Sequence, residues 1–156
     1  MKYYLFTISL NIPAILGDMK YSKEDSYIVV KLDRGDDIMA SLSDLVKKES
    51  VSNGYIVSGL GAATNVQIGA LVNKTYVNHT FEERQEILSF NGTITEGDPS
   101  MHIHIVLAGE NKNAVGGHLF KGTADPLMEI IILSFKKLRM TRKLEEYSGL
   151  KELSFL

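Results

Sequence analysis

The sequence predicts an α+β fold: one main helix packed on a largely antiparallel, barrel-like sheet, in a single domain. Three observations carry this prediction. One segment beginning at Ile38 has helical periodicity, β-branched strand-like segments dominate everything after it, and hairpin-sized connections rich in Gly, Asn and Asp separate those segments. A chain of 156 residues has room for one sizeable core.

Taken in order, Tyr27–Asp33 reads as a strand that ends at Arg34-Gly35. Asp36 or Asp37 can cap the helix that follows, where Ile38, Leu42, Leu45 and Val46 fall on one face. Lys47 and Lys48 suit its carboxyl end, and Asn53-Gly54 stops it. Strand-like runs then follow at Tyr55–Ser58, Asn65–Val72, Thr75–Phe81, Arg84–Phe90 and Gly92–Thr95. Ser100–Gly109, Ala114–Lys121 and Leu127–Phe135 complete the set.

Composition narrows the chemistry. Hydrophobic residues make up 44% and charged residues 23%, a balance that supports a packed core and excludes wholesale disorder. The chain has no cysteine, which excludes disulfides, thiolate nucleophiles and cysteine-held zinc or iron–sulfur centres. Any metal must be held by His, Asp or Glu. A formal net charge of -2 supplies no global field for nucleic acid.

Residues 1–22 form an extension whose role the sequence leaves open. Lys2 followed by the mostly apolar Tyr3–Leu16 resembles a signal peptide, but Asn11 and Pro13 interrupt the run and no small-x-small cleavage site precedes Asp18. The run is too short to span a bilayer, so no membrane association is expected. An arm packing on the domain or on a neighbouring subunit competes with translation starting at Met19. A cytoplasmic location is expected. At the other end, residues 141–156 carry Leu150, Leu153, Phe155 and Leu156, too apolar for a free tail, and should dock on this subunit or another.

The chemistry-bearing pattern is His102-Ile103-His104 followed by Gly116-Gly117-His118. On a strand, the period of two places His102 and His104 on one face and Met101, Ile103 and Ile105 on the other. The turn-forming Gly109–Asn113 stretch can fold His118 back beside them. Three imidazoles suit Zn²⁺ or another divalent first-row ion with a coordination position left open. The competing interpretation is three polar residues on the wetter face of a half-buried hairpin. The fourth histidine, His79, lies in the polar Asn78-His79-Thr80 and is expected to face solvent.

Two other features invite a functional interpretation. Ser58-Gly59-Leu60-Gly61-Ala62-Ala63 lacks the phosphate-loop pattern and is expected to be a tight turn bringing backbone near a cleft. Lys136, Lys137, Arg139, Arg142 and Lys143 form a basic cluster that could contact phosphates, although Glu145 and Glu146 follow directly and no aromatic residues interleave the basic ones.

The ordered landmarks Leu32-Asp33-Arg34-Gly35-Asp36-Asp37-Ile38, Ser58–Ala62, Glu86–Ile94, His102-Ile103-His104 and Gly116-Gly117-His118-Leu119 together resemble the plants-and-prokaryotes-conserved (PPC) domain of plant AT-hook nuclear proteins and of stand-alone prokaryotic proteins. The resemblance covers about Tyr27 to Phe135 and suggests bounds of 23–140 for the domain. It implies a homotrimer with an antiparallel sheet, and a metal ion, expected to be zinc, held by His102, His104 and His118. A small-molecule ligand at that ion follows as an expectation. The family's DNA-binding label rests, in the plant members, on an AT-hook segment that this chain lacks; nucleic-acid binding here would fall to the Lys136–Lys143 cluster.

A more distant similarity to acetolactate decarboxylase and to metal-dependent ester hydrolases suggests a metal-dependent lyase or hydrolase as the alternative. Glu129 and Glu86 are then candidates for a supporting carboxylate or general base, and Arg34 for an anion clamp. Their plainer roles are a polar partner in a strand, an edge-strand charge and a helix-end contact.

Overall fold

The computed structural model describes residues 20–156. The expectations about a signal-like segment and a start at Met19, and all of the extension expected at 1–22 except residues 20–22, lie outside the described residues. The first described element is strand β1 (Lys20–Glu24), which pairs antiparallel with β2 (Tyr27–Asp33).

After β2 the chain turns at Gly35, whose N–H donates to the carbonyl of Ala124 at 2.9 Å. Helix α1 (Ile38–Lys48) starts where expected, because the Asp37 side chain accepts from the backbone N–H of Ala40 at 2.8 Å. Ile38, Leu42 and Leu45 on its inner face are completely buried. Each contributes about 1.5–3 kcal/mol by leaving water.

The remaining elements are β3 (Gly54–Val72), β4 (Thr75–Phe81), β5 (Gln85–Ile94), β6 (Met101–Ala108), β7 (Ala114–Ser134), β8 (Met140–Leu144) and β9 (Lys151–Phe155). The strands of the main sheet run in the order β1-β2-β7-β6-β5-β3-β4, and all pairings are antiparallel. Strand β3 also pairs with β7, so β3, β5, β6 and β7 form a closed circuit of hydrogen-bonded neighbours. Strands β8 and β9 make a separate hairpin.

Three elements are longer than the sequence suggests. The runs at 55–58 and 65–72 belong to one strand, β3, as do those at 84–90 and 92–95 to β5 and those at 114–121 and 127–135 to β7. Ser58–Ala63 is accordingly not a tight turn. The strand bends through it with register shifts between Ile56 and Ser58 and between Gly61 and Ala63. Gly61 adopts φ +124°, where a side chain would be strained and its Cβ would crowd the backbone of Leu127 and Met128.

The core lies between α1 and the inner face of the sheet. Ile28, Val30 and Leu32 of β2, Ile130 and Ile132 of β7, Phe90 of β5 and Ile103, Ile105 and Leu107 of β6 are all buried there. This alternation forces the intervening residues of β6, His102 and His104, onto the opposite face.

Candidate metal centre

The register of β5, β6 and β7 brings the three histidines together. His104 lies directly opposite His118 on β7, and on its other side opposite Asn91 on β5. His102 lies opposite Thr93. Gly117 beside His118 is needed for close approach, since a Cβ there would sit 2.6 Å from the carbonyl oxygen of Gly69 on β3.

One ligating atom from each of His102, His104 and His118 lies within 4.8 Å of the others. The Nε2 atoms of His102 and His104 are 3.2 Å apart. Nitrogens bound at the usual distance to a tetrahedral zinc lie about 3.3 Å from one another, so this spacing needs little adjustment. His118 packs against both Tyr76 and Phe120, with ring centroids 5.2 Å and 4.7 Å away, and its buried Nδ1 has no hydrogen-bond partner. Such an orphaned imidazole nitrogen fits a metal donor set.

Electrostatics favour the same use. Burial, reinforced by His102 and His104, holds the His118 imidazole well below its ordinary value, to about 4. Burial also lowers His102, with Arg142 and then His104 adding to the effect. Two rings of the cluster are therefore neutral at physiological pH, the form that offers a lone pair to a metal ion.

Two hollows adjoin the cluster. A small one of about 160 Å³ is lined by His102 and His104 together with Tyr55, Asn91, Gly92 and Thr93. The second, about 250 Å³, lies between His102, His118 and the β8–β9 hairpin, from which Arg142 and Leu150 face it. A wider hollow of about 800 Å³ opens near Arg84 and Glu110; it is not lined by the three histidines, and among the described residues no metal-ligating cluster surrounds it.

The other sequence candidates lie elsewhere. Arg34 is exposed and ion-pairs with Asp125 at 3.2 Å, sharing that carboxylate with Arg84 at 3.0 Å. Glu129 is an exposed residue of β7 opposite Lys31 and Leu60, and Glu86 an exposed residue of β5 opposite Ala62 and Ala108. None of the three lines either hollow at the histidines.

The basic cluster is divided by the fold. Arg139 grips Glu96 through two hydrogen bonds of 3.0 and 2.7 Å, while Lys136, Lys137 and Lys143 remain exposed. Arg142 turns inward, and its Nη2 donates to Thr93 Oγ1 beside His102. Thr93 and Asn91 were detectable in principle by strand alternation once β5 and β6 were paired. Arg142 gave no local signal, because its contact with Thr93 spans 49 residues of sequence.

A family model for the Plants and Prokaryotes Conserved (PCC) domain matches residues 19–136. Among solved structures, a candidate DNA-binding protein from Bacteroides thetaiotaomicron superposes with a TM-score of 0.81 at 23% identity, over 88% of this chain and 97% of that one. A plant- and prokaryote-conserved (PPC) protein from Pyrococcus horikoshii gives a TM-score of 0.73 at 24% identity, over 87% and 95%. A metal-containing protein from Archaeoglobus fulgidus gives a TM-score of 0.74 at 26% identity, over 88% and 96%. No curated protein matches the sequence.

Proposed function

The chain belongs to the Plants and Prokaryotes Conserved (PCC) domain family, and from that premise we propose that it is a homotrimeric, zinc-binding protein that holds a small ligand at its metal. The observation that carries this proposal is the convergence of His102, His104 and His118 within 4.8 Å. The metal content of the Archaeoglobus relative, 26% identical, supports it. Zinc is assigned because three imidazole nitrogens suit a borderline ion in tetrahedral geometry.

When bound, such an ion supplies Lewis-acid polarisation to an oxygen at its open position. The chain's own residues do the rest. His118 is held in place by Tyr76 and Phe120, and Thr93 and Asn91 flank His102 and His104 across the strand pair.

A binding role is favoured over lyase or hydrolase chemistry because neither hollow at the histidines is lined by an aspartate or glutamate. In place of a carboxylate the hollows offer only Tyr55, Tyr76 and Lys151 as acid–base groups beside the histidines, and Lys151 is tied to Asp98 at 2.7 Å. Assembly is supported by the exposed apolar residues Tyr27, Val29, Tyr55, Val57, Leu60 and Ile131, which lie on neighbouring strands β2, β7 and β3. Among the described residues, no helix is long and apolar enough to cross a membrane.

Metal analysis of the purified protein tests the proposal. One zinc per chain is expected in the wild type and a marked loss in His104→Ala. Equal metal content in the two proteins would remove the histidines from the ligand set.

A further inference from the structure

We infer that the hollow between the histidines and hairpin β8–β9 binds a small carboxylate, an organic acid of a few carbons, gripped by Arg142. This deepens the metal-site proposal and rests on it. Arg142 lies on β8, beyond the residues 19–136 that match the PCC family model.

The guanidinium is placed for a ligand. It is half-buried, its Nη2 donates to Thr93 Oγ1, and its buried Nε has no hydrogen-bond partner. Among the described residues it makes no ion pair, whereas Arg34, Arg84 and Arg139 each have a carboxylate partner. A partly desolvated cation without a counter-charge is costly, and a metal ion on the adjacent His102 and His118 would raise the local positive charge further. An anion satisfies both.

The walls select the kind of anion. Tyr76, Pro99 and Leu150 give the hollow an apolar side, and its volume of about 250 Å³ admits only a small molecule. Its one other cation, Lys151, is tied to Asp98 at 2.7 Å. A single available guanidinium with an apolar wall matches a carboxylate on a short carbon frame, since a phosphate would want more donors than are free.

The position of Arg142 is itself built in. The β5–β6 connection packs against the hairpin at Gly97, where a Cβ would lie 2.5 Å from the backbone nitrogen of Arg142. Asn53 fixes the start of the hairpin, accepting from the backbone N–H of Met140 at 2.7 Å.

The test uses the full chain loaded with cobalt, whose visible spectrum reports on ligands, and titrates it with lactate, with its neutral counterpart lactamide and with inorganic phosphate. Lactate is expected to perturb the spectrum and lactamide to bind about ten- to a hundredfold more weakly, the range for losing a charge-assisted hydrogen bond. Arg142→Gln should show the same loss for lactate while keeping one cobalt per chain, with Arg142→Lys in between. Equal affinity for lactate and lactamide in the wild type, which involves no variant, would overturn the inference, as would tighter binding of phosphate than of lactate. Unchanged lactate binding in Arg142→Gln would do the same. Cobalt failing to bind the wild type would instead bring down the metal-site proposal on which the inference stands.

Discussion

The Nε2 atoms of His102 and His104 face one another across 3.2 Å on the same side of strand β6. A neutral imidazole carries one donor and one acceptor nitrogen, so the pair can share a proton only if one ring presents its N–H to the other. A divalent ion accepts from both. Zinc added at a hundred times its Kd is therefore expected to raise the unfolding free energy by about 2.7 kcal/mol. In His104→Ala that gain should vanish, while metal-free stability shifts by no more than about 0.5 kcal/mol because the side chain is exposed. Denaturant titrations with and without zinc check both statements; an undiminished zinc effect in the variant would contradict the ligand assignment.

The intervening residue gives the converse expectation. Ile103 is 1% exposed and packs into the core. Ile103→Ala should cost about 2–5 kcal/mol through lost burial and the cavity left behind. Zinc stoichiometry below the lowered unfolding temperature should stay at the wild-type value, since the ligands occupy the other face. Zinc loss in the folded variant would mean that the two faces of β6 are not independent.

The histidine pattern was legible in the sequence because it is local: alternation on one strand, then a turn of a few residues to the next. Helix α1 was legible for the same reason, with a capping aspartate and an apolar stripe. Strands β3, β5 and β7 were not, because breaks such as Gly59-Leu60-Gly61 look like turns until a partner strand takes up the shifted register. In β3 that role passes among β5, β7 and β4 along its length. Arg142 appeared only as one of a run of basic residues. Its separation from Lys143, which is exposed, depends on a hairpin docked against Gly97 and Thr93, contacts remote in sequence.

Acid should loosen that hairpin. Hydrogen bonds from Arg139, then from Asn53, hold the Glu96 carboxyl at about 2 instead of the ordinary 4.5. A depressed carboxylate contributes stability that is fully present above pH 4.5 and is lost as the pH falls towards 2. Over that window the wild type should lose more stability than Glu96→Gln, which has no proton to take up there. The group is exposed, so the difference should be small. Protease cleavage within β8–β9, compared at pH 4.5 and pH 3, provides a local readout. Identical acid profiles for the two proteins would show that Glu96 does not couple the hairpin to pH.

The proposed trimer contact makes the last prediction. Residues paired across antiparallel strands share a face, so Tyr27, Leu133, Tyr55, Thr93 and His102 form one continuous row across β2, β7, β3, β5 and β6. Next to it Val29 lies opposite Ile131, and both are well exposed, at 52% and 39%. A sheet face of this kind left to water favours self-association, and it leads along the same row to the metal centre. Val29→Glu places a charge in the middle of it. Because the side chain is already exposed, the folded chain should tolerate the change within about 0.5 kcal/mol. Light scattering should then report the mass of one chain in place of three. If the variant keeps the wild-type mass, the copies meet through another surface, and the row from Tyr27 to His102 is left to serve the ligand site alone.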